Sequence, residues 1–146
     1  MKKMECEALI SNLNQVISFV EGELESLGCS MKRQMQITLA VEEIYVNIAH
    51  YAYGKTDEAG QIIPDSGSGR MSLSLGADNG LVTLVFQDGG VPYNPLERKD
   101  PDISLSAEDR EIGGLGIFMA KKSMDNMKYE YRDGKNILTL EKRINN

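Results

Sequence analysis

Apolar residues recur every three to four positions in three stretches of this chain and every second position in four others. From Ser11 onward, Leu13, Val16, Ile17, Val20, Leu24 and Leu27 fall on one helical face. Ser11 or Asn12 is placed to cap that helix, and Gly28 to end it. A second helix is predicted over 31–53, stopped by Gly54, with Ile37, Val41, Ile44 and Ile48 as its buried stripe and Ala40 and Ala52 beside it. A third opens at Gly113 and runs to about Asn126, with Ile117, Phe118, Ala120 and Met124 apolar. Residues 71–76 alternate with period two, residues 81–87 are rich in β-branched side chains, and Ala77-Asp-Asn-Gly80 between them is a hairpin turn. Residues 127–132 and 136–143 form a second strand pair about Asp133-Gly134. Residues 3–9 alternate weakly, as a short edge strand would.

Four strands in two hairpins with three amphipathic helices predict an α+β fold. Its form is a two-layer α/β sandwich, a mostly antiparallel sheet covered on one face by three helices. Residues 1–146 read as one domain. The polar stretch 55–70, with Gly60, Pro64, Gly67 and Gly69, reads as a flexible surface loop, and 91–112 as a second long loop.

Charge and composition narrow the function. The net charge of −6 argues against a nucleic-acid partner, because phosphate contacts need clustered Lys and Arg. No apolar run is long enough to span a membrane, and no apolar segment follows the basic start as a secretion signal requires, so cytoplasm is the expected compartment. Cys6 and Cys29 lack metal-ligand spacing and read as small packing residues.

Three motifs carry candidate chemistry. Glu43 and Asn47 are four residues apart on the second helix, so their side chains stack on one face. The carboxylate can take a proton and the amide oxygen can ligate a hard cation such as Mg²⁺; the same spacing also describes a solvated helix edge. Asp88-Gly89-Gly90 follows a strand directly. An acid there can accept from an exocyclic amine, and glycine lets backbone approach a flat ring, although the sequence also suits a plain turn. Gly113-Gly114-Leu115-Gly116 opens a helix, where unpaired N–H groups favour anions. It is neither a Rossmann fingerprint nor a P-loop, since no strand leads directly into it and no Lys-Ser/Thr pair follows.

In this order, Glu-x-x-x-Asn, Asp-x-Gly and Gly-x-Gly together resemble the Bergerat ATP-binding fold of gyrase-type ATPases, Hsp90 chaperones, histidine kinases and MutL proteins. Within that superfamily the chain is most similar to the bacterial anti-sigma-factor serine kinases. That likeness is carried by the residues from Leu39 to Tyr53, from Asp88 to Pro95 and from Gly113 to Asp125. The resemblance implies ATP and Mg²⁺ as cofactors. It makes Asn47 the metal ligand, Glu43 the general base, Asp88 the acceptor of the adenine amine, and Gly90 a neighbour of the ring. Gly114, Leu115 and Gly116 would offer backbone N–H groups to the phosphates, residues 91–112 would form a lid, and Thr139 would help hold adenine. Arg110 or a nearby lysine would neutralise phosphate charge. The partners implied are a sigma factor and an anti-anti-sigma protein phosphorylated on serine, with a homodimer as a further expectation.

Another class remains open: an ATP-binding regulatory module without kinase activity. A histidine kinase would need an upstream helical hairpin with a phosphoacceptor histidine, and a gyrase-type ATPase a transducer domain after this one. His50 reads as structural, Glu42 as facing solvent, the eight methionines as core filler, and Tyr51 and Tyr53 as packing at the helix end.

Overall fold

A computed structural model describes residues 1–97 and 114–144, without the side chain of Leu115. Five strands, β1 (Lys2–Glu7), β2 (Arg70–Asp78), β3 (Leu81–Asp88), β4 (Asn126–Arg132) and β5 (Lys135–Arg143), form one sheet in the order β1-β2-β3-β5-β4. Every neighbouring pair is antiparallel. Both hairpins turn where expected, with Asn79 and Gly80 at φ 51° and 79°, and Asp133 and Gly134 at 56° and 77°. Two consecutive positive φ values match the right-handed twist of the flanking strands, and Asn-Gly and Asp-Gly tolerate them.

Three helices lie along the sheet: α1 (Leu13–Ser26), α2 (Met31–Asn47) and α3 (Gly114–Ser123). The middle one, α2, packs against both others. Its start is fixed by Ser30, whose Oγ accepts the Arg33 N–H at 3.4 Å. Its stripe of Ile37, Ala40, Val41 and Ile44 is buried against inward strand residues such as Leu73, Leu84, Phe86 and Leu140. Tyr45, wholly buried, ties α2 to the end of β1: its hydroxyl accepts from Leu9 N at 3.1 Å and donates to the Leu9 carbonyl at 2.6 Å. The opposite face of the sheet is half-buried to exposed along β2, β3 and β5.

Three details depart from the sequence reading. The second helix is not continuous to Tyr53; α-helical bonding ends at Asn47 and a π-helical turn, Ile48–Ala52, follows. The apolar spacing runs unbroken through it, so periodicity could not reveal the change. The stretch 55–70 is not a plain loose loop. Asp65 Oδ1 lies 2.7 Å from His50 Nδ1, Ser66 Oγ accepts from Lys55 N at 2.7 Å, and Thr56 bridges to Ile62. Finally, Met71 and Met124 are core, but Met1, Met31, Met35 and Met119 are exposed.

Candidate functional site

The site forms where the end of β3 meets the end of α2. The π turn is held there by glycine. A β-carbon added to Gly90 would fall 1.9 Å from the Ala52 carbonyl oxygen, so only glycine lets the chain after Asp88 close onto that turn. Val91 N then donates to the Ala52 carbonyl at 2.7 Å, and Gly89 N to the Tyr53 hydroxyl at 2.8 Å. That hydroxyl donates in turn to the Arg70 carbonyl. The result is a cleft lined by both Asn47 and Asp88, with Ile44, Ile48, Phe86, Ile117 and Leu138 as its apolar walls.

Asp88 is buried. Its Oδ1 accepts from Gly90 N and from Asn136 Nδ2, each at 2.9 Å, which leaves Oδ2 for a ligand. Burial pushes its carboxyl above the ordinary carboxylate range, against the downward pull of the Asn136 and Gly90 bonds. An acid so held can accept a hydrogen bond in an otherwise apolar cleft, which is what an exocyclic amine requires.

At the other end, Asn47 is buried and its Nδ2 donates to the Glu43 carbonyl at 2.9 Å. The amide is thereby oriented, and its Oδ1 is the end left to bind. Glu43 is half-buried, and its carboxyl is raised by burial first and by the Glu42 charge second. The carboxylate rests on α3: a β-carbon on Gly116 would fall 1.8 Å from Glu43 Oε2. The second glycine of the motif therefore makes room for the acid. Gly114, Leu115 and Gly116 stand in the first turn of α3, where backbone N–H groups lack intrahelical partners.

Thr139 does not join this site. It pairs with Val85 and Lys128 on the sheet face opposite Asp88, because inward positions on β5 are even-numbered: Asn136, Leu138 and Leu140. Asn136, directly across from Asp88, is the polar residue of β5 that faces the cleft. Strand parity alone would have found it, as a polar residue at an inward position. Tyr129 was missed too; its hydroxyl donates to Asn136 Oδ1, and burial pushes it further above the tyrosine range, so it stays a donor at neutral pH. His50 turns to Asp65, and Glu42 is exposed, both as expected. Arg110, Gly113 and most of the expected lid lie outside the described residues.

Residues 6–142 match the family described as histidine kinase-like ATPase domain. The chain belongs to that family. Among its curated relatives, the serine/threonine-protein kinase BtrW of Bordetella bronchiseptica is 28% identical over 111 residues, 76% of this chain and 71% of that protein. Among solved structures, the RsbU and RsbW domains of Rv1364c from Mycobacterium tuberculosis superpose with a TM-score of 0.61 at 17% identity. That match covers 99% of this chain, which spans only 33% of the larger one, and at this identity it speaks for the fold. The expected α+β sandwich and the resemblance to histidine-kinase-like ATPases are thus both met. For a histidine kinase-like ATPase domain, ATP is the expected ligand. Among the described residues no helix is long and apolar enough to cross a membrane.

Proposed function

We propose that this domain is a Mg-ATP-dependent serine/threonine protein kinase acting as an anti-sigma regulatory factor. It would phosphorylate an anti-anti-sigma protein and, in the alternative state, hold a sigma factor. The observation that supports this best is that Asp88 and Asn47 line one cleft while Glu43 lies one turn before Asn47, against the start of α3. The base end would take adenine, with Asp88 Oδ2 accepting from its amine. The triphosphate would run toward the first turn of α3, where Gly114, Leu115 and Gly116 offer N–H groups.

The Asn47 amide oxygen suits Mg²⁺, which prefers oxygen donors and commonly takes few protein ligands beside phosphate and water. When bound, Mg²⁺ supplies charge neutralisation across the phosphates. Glu43, its proton affinity raised by burial, receives the proton of the attacking serine hydroxyl. The serine oxygen forms a bond to the γ-phosphorus, the bond to the β,γ-bridging oxygen breaks, and ADP leaves with that electron pair. The sigma and anti-anti-sigma assignments rest on the resemblance, joined by a kinase among the relatives.

The test is transfer from labelled ATP to anti-anti-sigma proteins of the same genome. We expect label on a serine, lost in Glu43→Gln with ATP binding retained. Tight ATP binding without transfer to any candidate would instead make this domain a nucleotide-binding regulatory module.

A further inference from the structure

Asn136 is buried in the sheet beside the cleft, and every hydrogen-bonding valence of its side chain is used within the protein. Nδ2 donates to Asp88 Oδ1 at 2.9 Å and to the Val91 carbonyl at 2.8 Å. Oδ1 accepts from Tyr93 N at 3.0 Å and from the Tyr129 hydroxyl. Turning the amide over would set its oxygen against a carboxylate and a carbonyl, and its NH₂ against the Tyr93 N–H. The network therefore admits one orientation. With both N–H groups spent, Asn136 has nothing left to offer a ligand.

We infer that Asn136 is a positioning residue that sets nucleobase specificity by pinning Asp88 through Oδ1, so that a single, fixed acceptor faces the base. This rests on the reading of Asp88 as the base-binding acid. Gly90 N binds the same oxygen, and the two bonds together fix the plane of the carboxylate. A fixed acceptor accepts from a 6-amino purine. A 6-oxo purine sets its carbonyl against that oxygen and leaves both unpaired in an apolar cleft, the arrangement that gives the steepest discrimination between analogues. Without Asn136 the carboxyl can rotate or admit water, and the penalty on the 6-oxo base falls. The same amide holds Val91 and Tyr93, so the chain leaving β3 is fixed by the residue that fixes the acid.

Calorimetric titration of ATP and inosine triphosphate against wild type, Asn136→Ala and Tyr129→Phe tests this. Wild type is expected to favour ATP by about 100-fold. Asn136→Ala should bring that ratio below about tenfold, mainly by losing ATP affinity. Tyr129→Phe, which removes one of the two bonds to the amide oxygen, should lower it by a smaller factor in the same direction. An equal fall for both triphosphates in Asn136→Ala, or an unchanged ratio, overturns the proposal, because a merely structural residue would not move the ratio. Where Asn136→Ala fails to fold, Tyr129→Phe decides, and a wild-type ratio in that variant overturns it. A wild type that binds neither triphosphate sinks the nucleotide reading and this proposal together; binding of both with unmoved ratios sinks this proposal alone.

Discussion

Gly90 lies beside Asp88 and Gly116 beside Glu43, and a methyl group would collide at both, but with different things. At Gly90 it meets backbone, with the Ala52 carbonyl oxygen at 1.9 Å and its carbon at 2.4 Å. At Gly116 it meets the movable end of a side chain, the Glu43 carboxylate, at 1.8 Å. The end around Gly90 is thus a fixed construction: Asp88, Asn136, Tyr53 and the π turn are held through hydrogen bonds that need no ligand. Around Gly116 the structure is shaped by close approach alone, with an acid left at a raised pKa beside the start of a helix. One end is fixed in advance, and the other is left adjustable.

The largest expected effect falls on the adjustable end. Glu43→Gln should lower phosphoryl transfer by about 10²–10⁴-fold, the usual worth of a general base, and leave the ATP dissociation constant nearly unchanged. Gly116→Ala should follow it in kind, displacing the carboxylate and cutting transfer by about 10²-fold, while thermal stability stays within about 1 kcal/mol because alanine favours the helix. At the fixed end the same substitution should act on the fold. Gly90→Ala is expected to cost about 3 kcal/mol of unfolding free energy, read by denaturant titration, since backbone must move to admit the methyl. If Gly90→Ala proved as stable as Gly116→Ala, the contrast between the two ends would fail.

Asp88→Asn sharpens the comparison further. The amide oxygen can keep both bonds at the Oδ1 position while its NH₂ opposes the adenine amine, so ATP binding should weaken by about 100-fold without loss of fold. Stability should show the opposite trend. Because the folded pKa of Asp88 is raised, native protein holds this proton to higher pH than unfolded chain does, and wild-type stability falls as pH rises from the ordinary aspartate range through the raised value. A carboxamide does not titrate, so the Tm advantage of Asp88→Asn should grow through that window and level off above it. A gap that shrank with rising pH would contradict the direction of the shift. The smallest effect is expected at the solvent-facing His50–Asp65 pair. A double-mutant cycle there should give less than about 1 kcal/mol of coupling and leave ATP affinity unmoved.

Periodicity carried most of the architecture. Helices and strands came from spacing, and both hairpins from Asn-Gly and Asp-Gly, because the left-handed conformation those turns need is written in local chemistry. What it missed is tertiary. The π turn keeps the same apolar spacing as the helix before it. The order of segment 55–70 depends on polar ties to His50 and Lys55 that no local pattern announces. Glu43, Asn47 and Asp88 stood out in the sequence as polar residues in candidate motifs, whereas the meeting of Asn47 and Asp88 in one cleft required the sheet to lie against α2. The transfer of an adenine contact to Thr139 failed on parity: one residue's shift along a strand reverses its face, and the inward polar position is Asn136.

The most direct test of a nucleotide held between Asp88 and Asn47 is a crystal structure with Mg²⁺ and a non-hydrolysable ATP analogue. The adenine amine is expected within hydrogen-bond distance of Asp88 Oδ2, and Asn47 Oδ1 among the ligands of the Mg²⁺. A nucleotide bound elsewhere, or one touching only one of these two residues, would contradict that arrangement.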